Sequence, residues 1–279
     1  MTDVELHHGA ASDVGLVREV NEDAFLVAPP VFVVADGMGG HDRGDVAARI
    51  VVEEFAALAE SGYDHLHGPE AVTATLRSCQ ARIAAYDEQQ WETDPDFSAG
   101  TTVVVALVVE QAGTTPGGGS ELMWLLANVG DSRAYRFNDA VLEQVSVDHS
   151  VVQELLDDGS ITPDAAATHP HRHVITRALS GDGSVGADFF VLPLARAERL
   201  LLCSDGVSAM IGDDLIADIL GRTSDPRDAA DRLVAAALAA GGRDNATALV
   251  VDVVGLVPDR PYDSDAQRMS LEQKLGALP

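Results

Sequence analysis

The sequence predicts an α+β fold in which two mainly antiparallel sheets pack face to face and are flanked by pairs of helices. Apolar residues recur at helical spacing in two early segments, 44–60 and 70–90, and in two late ones, 213–220 and 226–240. Apolar segments with strand character lie around and between these pairs. Each sheet can bury one face on the other sheet and its second face on helices, so this arrangement accommodates all of the apolar segments.

The strands are predicted in three groups. The first is the apolar run Val31 to Ala35, which precedes the early helical pair. The second is a long meander with a turn at Asn138 and Asp139 and an expected hairpin loop over 113–120. Its strands are predicted at 102–109, 122–127, 133–137 and 141–145. The third group is predicted at 189–194, 199–204 and 246–254.

Composition limits the possible functions. The chain has 279 residues, 45 acidic and 18 basic, and its formal charge of −27 disfavours nucleic acid and anionic membranes as partners. No apolar run approaches the ~20 residues of a membrane helix, and residues 1–12 lack a signal-peptide pattern. Cys79 and Cys203 lie in apolar patterns typical of buried thiols. We therefore expect a cytoplasmic protein.

Three aspartates are expected at the ends of strands. Asp36 ends the first strand and begins a predicted glycine turn. Asp205 directly follows the predicted strand at 199–204, and Asp244 opens the last strand. A single Asp-Gly pair is usually only a turn. Three such carboxylates together predict one site for Mg²⁺ or Mn²⁺, which prefer oxygen ligands. Gly37 lacks a Cβ, so its carbonyl can approach an ion closely.

Longer motifs connect these aspartates. Residues 12–24 resemble the opening motif of the metal-dependent (type 2C, PPM) serine/threonine protein phosphatases of bacteria. The later motifs agree with that family in their order, at 36–41, 100–102, 128–133, 204–206 and 242–247. The resemblance covers about residues 8–254. It implies a four-layer αββα sandwich forming a single catalytic domain, 1–254, with a flap at about 150–186 and a polar C-terminal tail at 255–279.

The resemblance also implies a binuclear metal centre of two Mn²⁺ or Mg²⁺ ions. Asp36 is expected to bridge the ions, and the Gly37 carbonyl to bind the second of them. Asp205 and Asp244 are expected to bind the first ion, and Glu22 to reach the centre through water. Two ions held close together can activate a water and hold phosphate oxygens, so no covalent nucleophile is required.

Further roles follow from the same resemblance. Arg18 matches the phosphate-binding arginine, whose fork can hold two phosphate oxygens, with a surface salt bridge as the alternative. Asp131 matches a residue that holds a third, weaker ion together with Asp205; turn capping is its alternative. Met38 stands where eukaryotic members carry a histidine proposed to protonate the leaving group, and Met cannot donate a proton. His41 is a candidate acid, as is a metal-bound water, and a loop role for His41 is equally compatible.

The expected reaction is hydrolysis of phosphoserine and phosphothreonine on proteins by a metal-activated water, opposing bacterial serine/threonine kinases. One alternative is a non-catalytic module that binds phosphoproteins, and another is a phosphatase of a small metabolite. A loop-rich stretch after a short helix at 151–156 contains His169, His171 and His173. Their spacing matches no common zinc pattern, and the resemblance places the flap there.

Overall fold

The computed structural model describes residues 4–39, 44–90, 98–111, 120–166, 168–182, 186–194 and 197–255. Within these ranges the strands are β1 Glu5–Asp13, β2 Asp23–Ala28, β3 Val31–Gly39, β4 Ala99–Thr101, β5 Val103–Gln111, β6 Glu121–Val129, β7 Arg133–Asn138, β8 Val141–Gln144, β9 Leu179–Ser180, β10 Asp188–Pro193, β11 Arg199–Cys203 and β12 Ala246–Val254. The α-helices are α1 Gly44–Ser61, α2 Gly68–Gln90, α3 Val151–Asp157, α4 Pro163–Ala166, α5 Asp205–Ser208, α6 Asp213–Arg222 and α7 Pro226–Ala239.

The described strands form two antiparallel sheets. One has the order β1-β12-β11-β7-β8, and the other has the order β10-β6-β5-β3-β4-β9, with β2 also pairing with β3. Helices α1 and α2 cover the outer face of the second sheet, and α6 and α7 cover that of the first. A third apolar core, which includes Phe32, Trp124 and Leu249, lies between the sheets. The predicted αββα sandwich and its four main helices are confirmed.

The predicted single meander is wrong. Strands β5 and β6 pair in one sheet, whereas β7 and β8 pair in the other. The chain changes sheets at Gly130, Asp131 and Ser132, and Gly130 adopts a φ of 105° that favours glycine. Periodicity shows which residues of a strand are apolar but not which neighbouring strand it joins, so the crossing was not visible in the pattern.

The predicted glycine turn after Asp36 is also wrong. Strand β3 continues to Gly39, with Gly37 opposite Thr101 and Met38 opposite Gly100. Glycine is needed at position 37 for a close approach, because a Cβ there would lie 2.3 Å from the carbonyl oxygen of Gly44 at the start of α1. The segment that was predicted to be a glycine turn is therefore a paired strand.

Several expectations fall on residues outside the described ranges. These are His41, most of the expected hairpin loop over 113–120, and nearly all of the expected tail, 256–279. Among the described helices, none is long and apolar enough to cross a membrane. Cys79 and Cys203 are both buried and unpaired, as their apolar patterns predicted.

Candidate active site

A cleft of about 570 Å³ contains the predicted site residues that the structure describes. They come from the β1–β2 connection, β3, the β6–β7 crossing, the start of α5 and the α7–β12 connection. The predicted residues that line it are Arg18, Glu22, Asp36, Gly37, Asp131, Asp205 and Asp244. Residues separated by more than 200 positions thus meet in one cleft.

Two threonines fix the backbone of Asp36. The Thr102 N–H donates to the Asp36 carbonyl oxygen at 2.9 Å, and Thr101 Oγ1 donates to the same oxygen at 2.9 Å. The Asp36 N–H in turn donates to Thr102 Oγ1 at 3.2 Å. These contacts give a physical role to the Gly-Thr-Thr motif at 100–102, since it holds the backbone from which the carboxylate projects.

Asn245 joins the Arg18 loop to the Asp244 turn. Its buried amide donates to the carbonyl oxygens of Val14 and Val20, each at 2.9 Å, and its Oδ1 accepts from the Glu22 N–H at 2.8 Å. One side chain therefore fixes both ends of the loop that carries Arg18. The 242–247 motif contained this residue, but the spacing alone gave no role for it.

Asp23 adjoins the site, opposite Asp36, but is not among the residues that line the cleft, and the sequence alone assigned it no role. It lies directly opposite Asp36 in the β2–β3 pair, where like charges destabilise the pairing. Its Oδ2 accepts hydrogen bonds of 2.7 Å from Ser204 and from Thr247. Its Oδ1 is buried and has no hydrogen-bond partner among the described residues. The sequence signal that could have indicated a role for Asp23 was its position between Glu22 and an apolar strand.

Four half-buried carboxylates, Asp23, Asp36, Asp131 and Asp205, form what we call the carboxylate floor. Burial, then the charges of the other three and of Asp244, raises the pKa of Asp36 well above its usual range. Burial is also the main cause that raises the pKa of Asp23 and of Asp131 to about 7. For Asp205, burial and the charge of Asp244 raise the pKa. The floor is thus a cluster of like charges that a cation would stabilise.

The other two predicted acidic ligands already have partners. Arg18 Nη2 donates to Asp244 Oδ2 at 2.8 Å, and this bond is the first cause that raises the Arg18 pKa. Glu22 Oε1 accepts from the N–H of Gly44 at 2.8 Å, where a carboxylate complements the N-terminus of α1. Both residues therefore hold the cleft together as well as lining it.

The described residues do not form a complete protein cage for an ion. Within the described ranges, no three acidic, histidine or cysteine side chains converge closely enough to hold a metal by themselves. Asp205 nevertheless lies close enough to Asp36 for its charge to raise the pKa of Asp36. Carboxylate pairs completed by carbonyl and water oxygens are the arrangement that Mg²⁺ accepts, because it retains several waters.

The expected flap lies beside this cleft. It is fixed at its base by a bridge between Ser150 and Ile175 and by pairing of β9 with β4. Of its three histidines, His173 lines the cleft, whereas His169 and His171 contact each other with ring centroids 5.5 Å apart. Of these three histidines, His173 is therefore the one that lines the described cleft.

Comparison with known proteins gives matches that agree with the αββα sandwich and its acidic cleft. A family model described as protein phosphatase 2C matches residues 17–240, and the chain belongs to this family. It is similar to the serine/threonine protein phosphatase PstP of Mycobacterium tuberculosis, 38% identical over 251 residues, which are 89% of this chain and 45% of PstP. The chain thus spans less than half of the length of PstP.

Two further similarities span nearly the full length of the matched chain. The serine/threonine phosphatase stp of Listeria monocytogenes is 34% identical over 255 residues, covering 88% of this chain and 96% of stp. The solved catalytic domain of PstP in complex with two manganese ions is 37% identical with a TM-score of 0.74, covering 90% of this chain and 99% of that one.

Proposed function

We propose that this protein hydrolyses phosphoserine and phosphothreonine in phosphoproteins, with two Mn²⁺ or Mg²⁺ ions as cofactors. The observation that carries the proposal is the convergence of Asp36, Asp131, Asp205 and Asp244 in one cleft with Arg18. The relatives PstP and stp are serine/threonine phosphatases, and the PstP catalytic domain was solved with two manganese ions. Carboxylates that collect cations beside a phosphate-binding arginine are suited to phosphomonoester hydrolysis.

The floor fits a divalent cation on chemical grounds. Its donors are hard oxygens, it holds like charges at close range, and the buried Oδ1 of Asp23 has no hydrogen-bond partner among the described residues. We propose that Asp36 and the Gly37 carbonyl, with Asp205 and Asp244, hold the two ions. Glu22 acts on these ions through water, and Asp131 together with Asp205 holds a third, more weakly bound ion.

The side chains have distinct proposed roles. When bound, the ions supply positive charge for phosphate oxygens and lower the pKa of water in the cleft. Arg18 holds the phosphate with its guanidinium fork, and Asn245 keeps the Arg18 loop in place. Met38 lines the cleft but cannot donate a proton, so the two proposed acids for the leaving group are His41 and a water in the cleft.

The cellular setting is part of the proposal. Phosphoproteins made by serine/threonine kinases are the proposed substrates, since the relatives act as serine/threonine phosphatases. Two buried, unpaired cysteines support a reducing, cytoplasmic location. We propose that residues 1–254 act as one catalytic domain, with 255–279 as a tail.

Phosphate release from matched substrates tests the proposed function. With Mn²⁺, phosphothreonine and phosphoserine peptides should be hydrolysed with a higher kcat/KM than a phosphotyrosine peptide or a sugar phosphate. Asp205→Asn should abolish this release, whereas Asp214→Asn, an exposed carboxylate on α6, should not change it. A protein that binds the peptides without releasing phosphate would be the non-catalytic module, and a preference for the sugar phosphate would indicate the metabolite phosphatase.

A further inference from the structure

The arginines of this acidic chain differ in their partners. Arg133 pairs with Asp148 at 2.7 Å, and Arg199 pairs with Asp252 at 2.6 Å. Among the described residues, eight of the thirteen arginines form an ion pair with a carboxylate. An exposed arginine without a carboxylate partner is therefore informative when it lies beside a binding cleft.

Arg172 and Arg243 are two such arginines. Both are exposed and line the cleft, and neither forms an ion pair among the described residues. Among the described residues, the Arg172 guanidinium donates only one hydrogen bond, a long one of 3.4 Å to the carbonyl oxygen of His169. Arg172 lies in the flap region and Arg243 in the α7–β12 connection, so two separate elements place a free guanidinium at the same cleft.

The position of Arg243 is well defined although its charged end is free. It lies between Gly242, whose carbonyl oxygen accepts from the Leu16 N–H at 2.7 Å, and Asp244, which pairs with Arg18. A Cβ added to Gly241 would lie 3.9 Å from both Cγ and Nε of Arg243, so the stem of the Arg243 side chain runs beside Gly241. The backbone is fixed while the guanidinium stays available to a ligand.

We propose that Arg172 and Arg243 select phosphoprotein substrates that carry Asp or Glu within a few residues of the phosphorylated serine or threonine. This inference rests on the proposed function, because the phosphate must enter the cleft for its neighbours to meet these arginines. The chain's charge of −27 repels acidic peptides elsewhere, so two free guanidinium groups provide the local attraction. Complementary charge of this kind sets specificity and association rate.

A simpler role would be general attraction of the phosphate group. In that case, removing either arginine would lower kcat/KM equally for every phosphorylated substrate. The two roles are separated by two phosphothreonine peptides that differ only in having Glu or Gln at the positions flanking the phosphothreonine. The measured quantity is the ratio of kcat/KM for the Glu peptide to that for the Gln peptide.

The unsubstituted full chain with Mn²⁺ should prefer the Glu peptide, and added salt should reduce this preference. Arg243→Gln and Arg172→Gln should each lower the ratio by about two- to fivefold, the range expected of exposed ion pairs. Arg243→Glu should reduce it further and favour a matched Lys peptide. Arg77→Gln and Arg227→Gln are the matched controls, because these exposed arginines also lack an ion pair among the described residues but do not line the cleft.

A ratio near one in the unsubstituted protein would overturn the inference, as would an equal loss on both peptides in the Arg243 and Arg172 variants. A change of the ratio in the Arg77 or Arg227 control of the same size would also overturn it, since charge anywhere on the surface would then suffice. Failure to release phosphate from either peptide would instead refute the proposed function. Circular dichroism of each variant verifies that the fold is retained.

Discussion

The floor and the mouth of the cleft carry opposite charges and are held by the fold in different ways. The carboxylate floor is half-buried and lies on paired strands or directly beside them, as Asp23 and Asp36 do on β2 and β3. Arg18, Arg172 and Arg243, which we call the arginine rim, are exposed and lie on connections between elements. Substitutions in the floor should therefore change stability and metal binding, whereas substitutions in the rim should change substrate binding.

The largest effect is expected at the centre of the floor. Asp36→Asn should lower kcat on phosphothreonine peptides by more than about a hundredfold, because even residues behind metal ligands contribute 10- to 100-fold. The melting temperature of the metal-free protein should stay equal or rise, since one of several like charges is removed. Asp87→Asn is the matched control, because burial also raises the Asp87 pKa but the residue lies outside the cleft. Near-normal turnover of Asp36→Asn would exclude the bridging role.

Arg18 should give the next largest effect on activity, with little loss of stability because its ion pair with Asp244 is exposed. Arg18→Ala is expected to lower kcat/KM on phosphopeptides by roughly 10- to 100-fold, because a charge-assisted hydrogen bond contributes ~1.5–3 kcal/mol. Arg18→Lys should recover only part of the loss, since a lysine lacks the planar fork. Steady-state kinetics measures both variants. If Arg18→Ala keeps its kcat/KM, the Arg18–Asp244 ion pair is only a structural contact.

Substitution of Asp131 should distinguish the site of the weakly bound ion from the two tight sites. Asp131→Ala is expected to lower phosphopeptide turnover by about tenfold or more, the lower end for a residue that supports a metal site. Two tightly bound Mn²⁺ ions should remain measurable by calorimetry in this variant. Normal turnover, or loss of all metal binding, would reject the assignment and favour a turn-capping role.

The smallest effect concerns stability of the metal-free protein as a function of pH. Folding raises the pKa of Asp23 and of Asp131 to about 7, so the folded state binds protons more tightly than the unfolded state. This contribution is present below pH ~4 and is lost as the pH rises through about 7. Thermal melts should show a lower melting temperature at pH 8 than at pH 5, by about 2–4 °C for each kcal/mol lost. Saturating Mn²⁺ should reduce this difference, and a melting temperature that rises with pH in the metal-free protein would contradict the raised pKa values.

Much of the fold and of the carboxylate floor could be predicted from the sequence, and the predictions that failed did so for physical reasons. Helical periodicity located α1 and α2, and an apolar run located β12 with its bounds. The polar motifs identified carboxylates that converge, because each motif is adjacent to a strand. The passage of the chain from one sheet to the other at Gly130 could not be predicted, since strand pairing depends on partners that are distant in the sequence.

Other failures concern contacts between distant segments. Gly37 was expected in a turn, but packing against Gly44 is what requires a glycine there. Asp23 was not assigned to the site because its partners, Ser204 and Thr247, are far away in the sequence. A salt bridge was one of the two predicted roles of Arg18, but its partner Asp244 lies near the opposite end of the chain and could not be named in advance.

Calorimetric titration of the metal-free full chain with Mn²⁺ at pH 7 tests the central claim, that the carboxylate floor is a divalent metal site. We predict two tight sites in the unsubstituted protein and in the Asp87→Asn control, with protons released on binding because the floor carboxylates have raised pKa values. Asp36→Asn should lose tight binding. Absence of binding to the unsubstituted protein, or unchanged binding in Asp36→Asn, would contradict the claim.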